Sequence, residues 1–152
     1  MLAQARAERA VVVPHSPGRV VQPVSFVAIG SYPERGPLAM KIARIETYPV
    51  EIPIKPERRI LSYLGEHVVS RYVLVRVLTD DGLEGAGEAT VMPRWSGETV
   101  WGAQAIIERV LAPAVTGCDQ RDGAEIDRRM DAVAAHNWFA KSAIEMACWD
   151  LA

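Results

Sequence analysis

The stretch DDGLEGAGEAT, Asp80 to Thr90, decides the fold. Before it runs VVSRYVLVRVLT, Val68 to Thr79, rich in β-branched residues that suit a pleated strand. After Asp81-Gly82 comes a second strand-like run, LEGAGEAT. Asp-Gly between two such runs predicts a β-hairpin whose two central residues both take positive φ. Gly85 and Gly87 inside the return strand predict a bulge or the close approach of another backbone. They do not build a dinucleotide site, because no helix follows directly and the third glycine is missing. Glu84 and Glu88 fall on one face of the strand, roughly 13 Å apart by strand rise. That is too far for shared acid-base work, so both are expected at the surface.

Working outward, MKIARIETYPVEIPI, Met40 to Ile54, alternates with period two. Tyr48, Val50, Ile52 and Ile54 are expected to face the core, with Pro49, Glu51 and Pro53 facing away. Proline cannot donate to a ladder, so this reads as an edge strand. The segment from Lys55 to His67 loses the pattern and reads as a long loop, of the kind that carries function. Together the strands predict a three-stranded antiparallel meander. A second irregular segment, VMPRWSG, spans Val91 to Gly97. Met92, Arg94 and Trp95 beside a hairpin suit a segment that closes over a ligand. A large aromatic such as Trp95 also commonly staples its own loop to the core.

Three helices follow. Ser96 is expected to cap the first, with Glu98 in its first turn and an apolar stripe of Val100, Ala103, Ile107, Val110 and Leu111. Pro113 is expected to stop it. The second spans roughly Asp122 to Ala135, with Ile126, Met130 and Val133 on one face and Glu125–Arg129 paired at i, i+4. Asn137 is expected to cap the third, which holds KSAIEMACWDLA, Lys141 to Ala152. That helix is apolar nearly all round and carries no stop signal, so burial on several sides is expected. Strands followed by helices make the fold class α+β.

Composition narrows the function. A formal net charge of -2 leaves no electrostatic footprint for nucleic acid. No apolar run approaches the roughly 18 residues of a membrane span. Cys118 and Cys148 lack a partner motif, which points to reduced thiols and a cytoplasmic protein. His15, His67 and His136 have no Cys, Asp or Glu at metal-ligand spacing, so neither a metal nor a cofactor site is expected in this chain. No catalytic set is legible either. Residues 1–39 carry prolines at 14, 17, 23, 33 and 37 and show no period. They read as a disordered extension or a mis-assigned start, with translation beginning at Met40. Residues 40–152 form the patterned domain.

The ordered series DDGLEGAGEA, PRWSGET, LAPAVTGCD and NWFAKSAIEMACWDLA resembles the N-terminal capping domain of the enolase superfamily. Within it, the mandelate racemase/muconate lactonizing enzyme family is the match, nearest the muconate cycloisomerase subgroup with dipeptide epimerases as relatives. The resemblance covers Met40 to Ala152. It implies that the last helix continues, through a Gly-Lys, into a C-terminal (β/α) barrel, so that this chain is a truncated piece, inactive by itself. It also implies Mg²⁺ and the proton-abstracting residues in that barrel, a small carboxylate substrate, and homo-oligomers of the full-length enzyme. In such domains two loops close over the barrel mouth. They correspond here to Lys55–His67 and Val91–Gly97, making Ile60, Leu61, Tyr63, Met92, Arg94 and Trp95 the expected substrate lid. The competing expectation is a stand-alone interaction module that docks through the apolar C-terminal helix.

Overall fold

The computed structural model describes residues 11–12, 40–63 and 65–152. In chain order the elements are β1 (Val11–Val12), β2 (Ile42–Pro53), β3 (Ile60–Ser62), β4 (Gly65–His67), β5 (Val69–Thr79) and β6 (Glu84–Thr90). The helices are α1 (Val100–Ile106), α2 (Ala112–Val115), α3 (Gly123–Val133) and α4 (Trp138–Asp150). The expected α+β meander is present as β2-β5-β6, antiparallel throughout, with β1 added outside β2. The disorder expected for residues 1–39 falls, apart from Val11–Val12, outside the described residues.

Val73, Val75 and Val77 of β5 are buried and form the floor of the core. Their partners on β2 are Pro49, Thr47 and Ile45. Directly paired residues share a face, so the core-facing side of β2 is this set. The expectation that Tyr48, Val50, Ile52 and Ile54 face the core is therefore corrected; of the four only Val50 is buried. Apolarity misled because Tyr48 lies on the other face, where its hydroxyl donates to Glu46 and its ring lies under Arg76. Arg76 also pairs with Glu46 and Glu84 there. β2 is the outer strand of the meander, but β1 pairs outside it at Val50 and Glu51, so the expectation of an edge strand is corrected there; the prolines are accommodated for a backbone reason. The N–H of Ile54 donates to Val68 on the β5 side, so by alternation Pro53 and Pro49 fall where β5 asks for no donor.

The β5–β6 turn differs from the Asp-Gly expectation. Thr79 and Leu83 still bond across it, leaving a three-residue loop of Asp80, Asp81 and Gly82. Only Gly82 takes positive φ, +89°, and Thr79 Oγ1 accepts from Leu83 N–H. Three-residue hairpin loops place a glycine at this left-handed position.

The helices cover the core face. Thr99, rather than Ser96, caps α1, accepting from Gly102 N–H. Pro113 does not stop the run. Ile107–Leu111 widens into a π turn in which Ala112 N–H reaches the Ile107 carbonyl, and α2 carries Pro113 in its first turn, where a missing N–H costs little. Asp122 caps α3. Ile126 and Met130 are buried as expected, but Val133 at the helix end is exposed. Glu125 holds both Arg129 and Arg128, each at 2.7 Å, and their hydrogen bonds lower its pKa to about 2.

α4 lies on β6 so closely that the two glycines explain themselves. A Cβ on Gly87 would sit 2.0 Å from the Ala143 carbonyl oxygen, and one on Gly85 2.1 Å from that of Ala147. Ala140, Ala143, Ile144, Ala147 and Cys148 are buried on this side. The pairing of β5 with β6 is regular through both glycines, so close approach, not a bulge, is their reason. The opposite side of α4 is not covered: Met146 is partly exposed and Trp149 is 78% exposed. Burial lifts the Cys148 thiol to about 12. Glu145 is raised too, first by desolvation and then by Asp127. Lys141 is buried, bonded to Asp131 at 2.6 Å and to the Ala134 carbonyl at 2.7 Å, with Trp138 5.1 Å away as a cation–π partner.

Candidate functional site: two segments at one end of the sheet

The chain leaves β2 after Pro53 and re-enters the sheet at Val69, directly opposite. The segment between them is more ordered than a loop. Pro56–Arg58 makes one 3₁₀ turn, and β3 pairs with β4 as a separate two-stranded hairpin, Ile60 opposite His67 and Leu61 opposite Glu66. Its bonds gather at the root. Arg59 donates to the Ile54 carbonyl and pairs with Glu66, and His67 Nε2 meets Ser70 Oγ at 2.8 Å. Ile54 N–H to the Val68 carbonyl closes the stem. Large apolar groups stand in solvent along it: Ile60 near the root, and toward the tip Leu61 at 80% and Tyr63 at 92% exposed.

The second segment leaves β6 after Thr90, which pairs with Tyr72. β6 ends at the end of the sheet where β2 ends and β5 begins, so the topology brings both expected lid segments to one end. Here the backbone folds into a single turn. Trp95 and Ser96 N–H groups donate to the Met92 carbonyl, and Ser96 Oγ accepts from Met92 and Glu98 N–H. Ser96 thus stabilises the loop instead of capping α1. Val91 is buried, Met92 half-buried, and Arg94 and Trp95 are exposed. Trp95 serves both readings of the sequence: 68% of it is exposed, yet its ring centroid lies 5.8 Å from that of Phe139.

Glu98 is the residue the sequence reading misplaced. It accepts from the N–H groups of Phe139 and Ala140, at 2.8 and 3.1 Å, and so caps α4 from another part of the chain. Asn137 takes a left-handed conformation and makes no side-chain cap. No local spacing could have revealed a cap supplied from 41 residues away. Beside the second segment, a groove of about 210 Å³ is lined by residues including Val50, Glu51, Arg71, Pro93 and Trp101. None of the six expected lid residues lines it.

Among the described residues no group of three His, Cys, Asp or Glu could hold a metal ion. No helix among them is long and apolar enough to cross a membrane.

A three-stranded meander followed by helices, with two exposed segments at one sheet end, is the architecture of enolase-superfamily N-terminal domains. Within that class the chain belongs to the mandelate racemase/muconate lactonizing enzyme family, whose N-terminal domain matches residues 45–152. It is 38% identical over 114 residues to a chloromuconate cycloisomerase of Cupriavidus pinatubonensis, covering 74% of this chain and 30% of that protein. It is 32% identical over 117 residues to the cis-3-hydroxy-L-proline dehydratase of Roseibium aggregatum, again 74% and 30%. Among solved structures, the dipeptide epimerase of Enterococcus faecalis V583, complexed with Mg and the dipeptide L-Leu-L-Tyr, superposes with a TM-score of 0.69 at 30% identity. That match covers 74% of this chain and 31% of the epimerase. The chain thus spans about 30% of the length of these relatives.

Proposed function

We propose that this chain is the substrate-capping domain of a muconate cycloisomerase-like isomerase or lyase that abstracts a proton next to a carboxylate. The proton abstraction belongs to a (β/α) barrel, and the domain is inactive without it. The observation that supports this reading is the placement of two segments with exposed apolar side chains at one end of the sheet of a family member. Leu61, Ile60 and Tyr63 on the hairpin and Met92 and Trp95 on the second turn would cover a small carboxylate substrate, and Arg94 would meet its charge. Closing them excludes water, which strengthens electrostatic interactions beneath. The Mg²⁺ implied by the family would take its ligands from the barrel. The same face of α4 that leaves Met146 and Trp149 in solvent would pack on that barrel. The second reading is a protein-interaction module that uses this face, favoured by the same exposure of Trp149.

The test is a chimera in which residues 45–152 replace the matching part of the Cupriavidus chloromuconate cycloisomerase, assayed on muconates, dipeptides and proline derivatives. Trp95→Ala and Leu61→Ala should each change the ratio of kcat/KM between two carboxylates by about tenfold, or ~1.4 kcal/mol. Trp101→Ala, an exposed aromatic outside the two segments, should leave the ratio unchanged. Equal effects at all three positions would remove the lid assignment. A chimera that folds but stays inactive on every carboxylate would favour the interaction module.

A further inference from the structure

The second segment is fastened at both ends to one body. At its start the chain leaves β6 after Thr90. Directly after its end stands Glu98, half-buried, whose two carboxylate oxygens accept from Phe139 N–H and Ala140 N–H of α4. The backbone of Glu98 faces the other way: its N–H donates to Ser96 Oγ, the same oxygen that accepts from Met92 N–H. One residue therefore grips the helix with its side chain and the segment with its main chain. Above it, the Trp95 ring meets that of Phe139, whose own N–H Glu98 holds. α4 is itself fixed on β6. Gly85 and Gly87 leave no room between helix and strand, and at the far end Asp150 Oδ2 accepts from Ala86 N–H at 2.9 Å.

We propose that Glu98 is a positioning residue that sets substrate specificity: its double bond to the start of α4 holds the second segment, and through it the Trp95 side chain, in one place. This rests on the lid reading above. Glu98 touches no substrate and acts through Trp95. Charge-assisted bonds to helix N–H groups are stronger than neutral ones, and no local group replaces them, because Asn137 makes no side-chain cap. Without the carboxylate, the orientation of Trp95 leans on its ring contact with Phe139, which is weak by itself. A displacement of about 1 Å in a group that orients a substrate is enough to change how the substrate is handled. The helix that carries Met146 and Trp149 on its exposed face thus also carries the reference point for Trp95.

Two measurements test this, each against Asp122→Ala. That control removes the side-chain cap of α3, a helix cap of the same kind far from the segment in sequence. In the full chain, the Trp95 and Ser96 amides, which donate to the Met92 carbonyl, report on the segment by hydrogen exchange. Glu98→Ala should speed their exchange by about tenfold, and Asp122→Ala should leave it within about twofold. Equal acceleration by the two reduces Glu98 to a stabilising cap and overturns the proposal. In the chimera described above, Glu98→Ala should shift the ratio of kcat/KM between two carboxylates in the same direction as Trp95→Ala, by about threefold or more. Asp122→Ala should leave the ratio unmoved. The Trp95→Ala, Glu98→Ala double variant should shift it no further than Trp95→Ala alone, because residues that act as a unit are not additive. Effects that multiply in the double variant, or a Glu98→Ala ratio no different from that of Asp122→Ala, overturn the positioning role. If Trp95→Ala itself leaves the ratio unmoved while exchange responds as expected, the lid reading has failed and the specificity role falls with it, the tether to α4 standing alone.

Discussion

Substituting Gly87 by alanine is the sharpest probe of how α4 meets the sheet. The added Cβ would stand 2.0 Å from the Ala143 carbonyl oxygen and 2.9 Å from the Ala147 nitrogen. Ordinary contact begins near 3.4 Å. The obstructing atoms are helix backbone and cannot rotate away, so α4 must retreat by about 1 Å or more. Over-packing of this kind costs about 1–3 kcal/mol. A radial gap of about 0.5–1 Å also forfeits a quarter to a half of each dispersion contact along Ala140, Ile144 and Ala147. The total is expected near 3 kcal/mol. With a urea slope of about 1–3 kcal/mol/M, the unfolding midpoint should fall by about 1–3 M, read from tryptophan fluorescence. Gly123→Ala is the control: it opens α3, its Cβ meets no atom within 4 Å, and its φ is not positive. That change should move stability by no more than about 1 kcal/mol, toward greater stability. If Gly87→Ala shifts the midpoint no further than this control, the close approach of helix and strand is wrong.

Three more outcomes are expected. Glu98→Ala strips the cap from α4 and should destabilise the chain by about 1–2 kcal/mol in the same urea assay, with Glu98→Gln retaining part of the loss. Glu125 has a folded-state pKa of about 2, depressed below its ordinary value of 4.5. Its contribution is therefore complete above about pH 5 and is lost as pH falls toward 2, so Glu125→Gln should flatten the acid limb of stability against pH across that window. Cys148 is raised to about 12 by burial. It should resist alkylation at pH 8 in the folded chain and react once urea unfolds it, followed by mass spectrometry.

Local chemistry carried much of this fold, and its failures share one cause. The meander, the Glu125–Arg129 pair and the closeness implied by Gly85 and Gly87 rest on spacing within one element, and all are present. The order of motifs also pointed to the family that residues 45–152 match. What went astray depended on partners far away in sequence. Thr99 takes the α1 cap because Ser96 is spent on Met92 and Glu98. Glu98 in turn leaves α1 to serve α4. The core side of β2 follows from its register with β5, and a proline-bearing face looked outward only because hydrophobicity was weighed without that register. The sequence marked both segments at this end of the sheet as irregular, but the β3–β4 pairing was hidden by the charges and glycine around it.

The hairpin of β3 and β4 is fastened to the body by a few bonds at its stem, Arg59 to Ile54, His67 to Ser70 and Ile54 to Val68. The described side chains toward its tip, Leu61 and Tyr63, are exposed and take no part in the core. Such a piece behaves as a cassette. Residues between Lys55 and His67 can drift, lengthen or be grafted from a relative while the fold beneath registers almost no change.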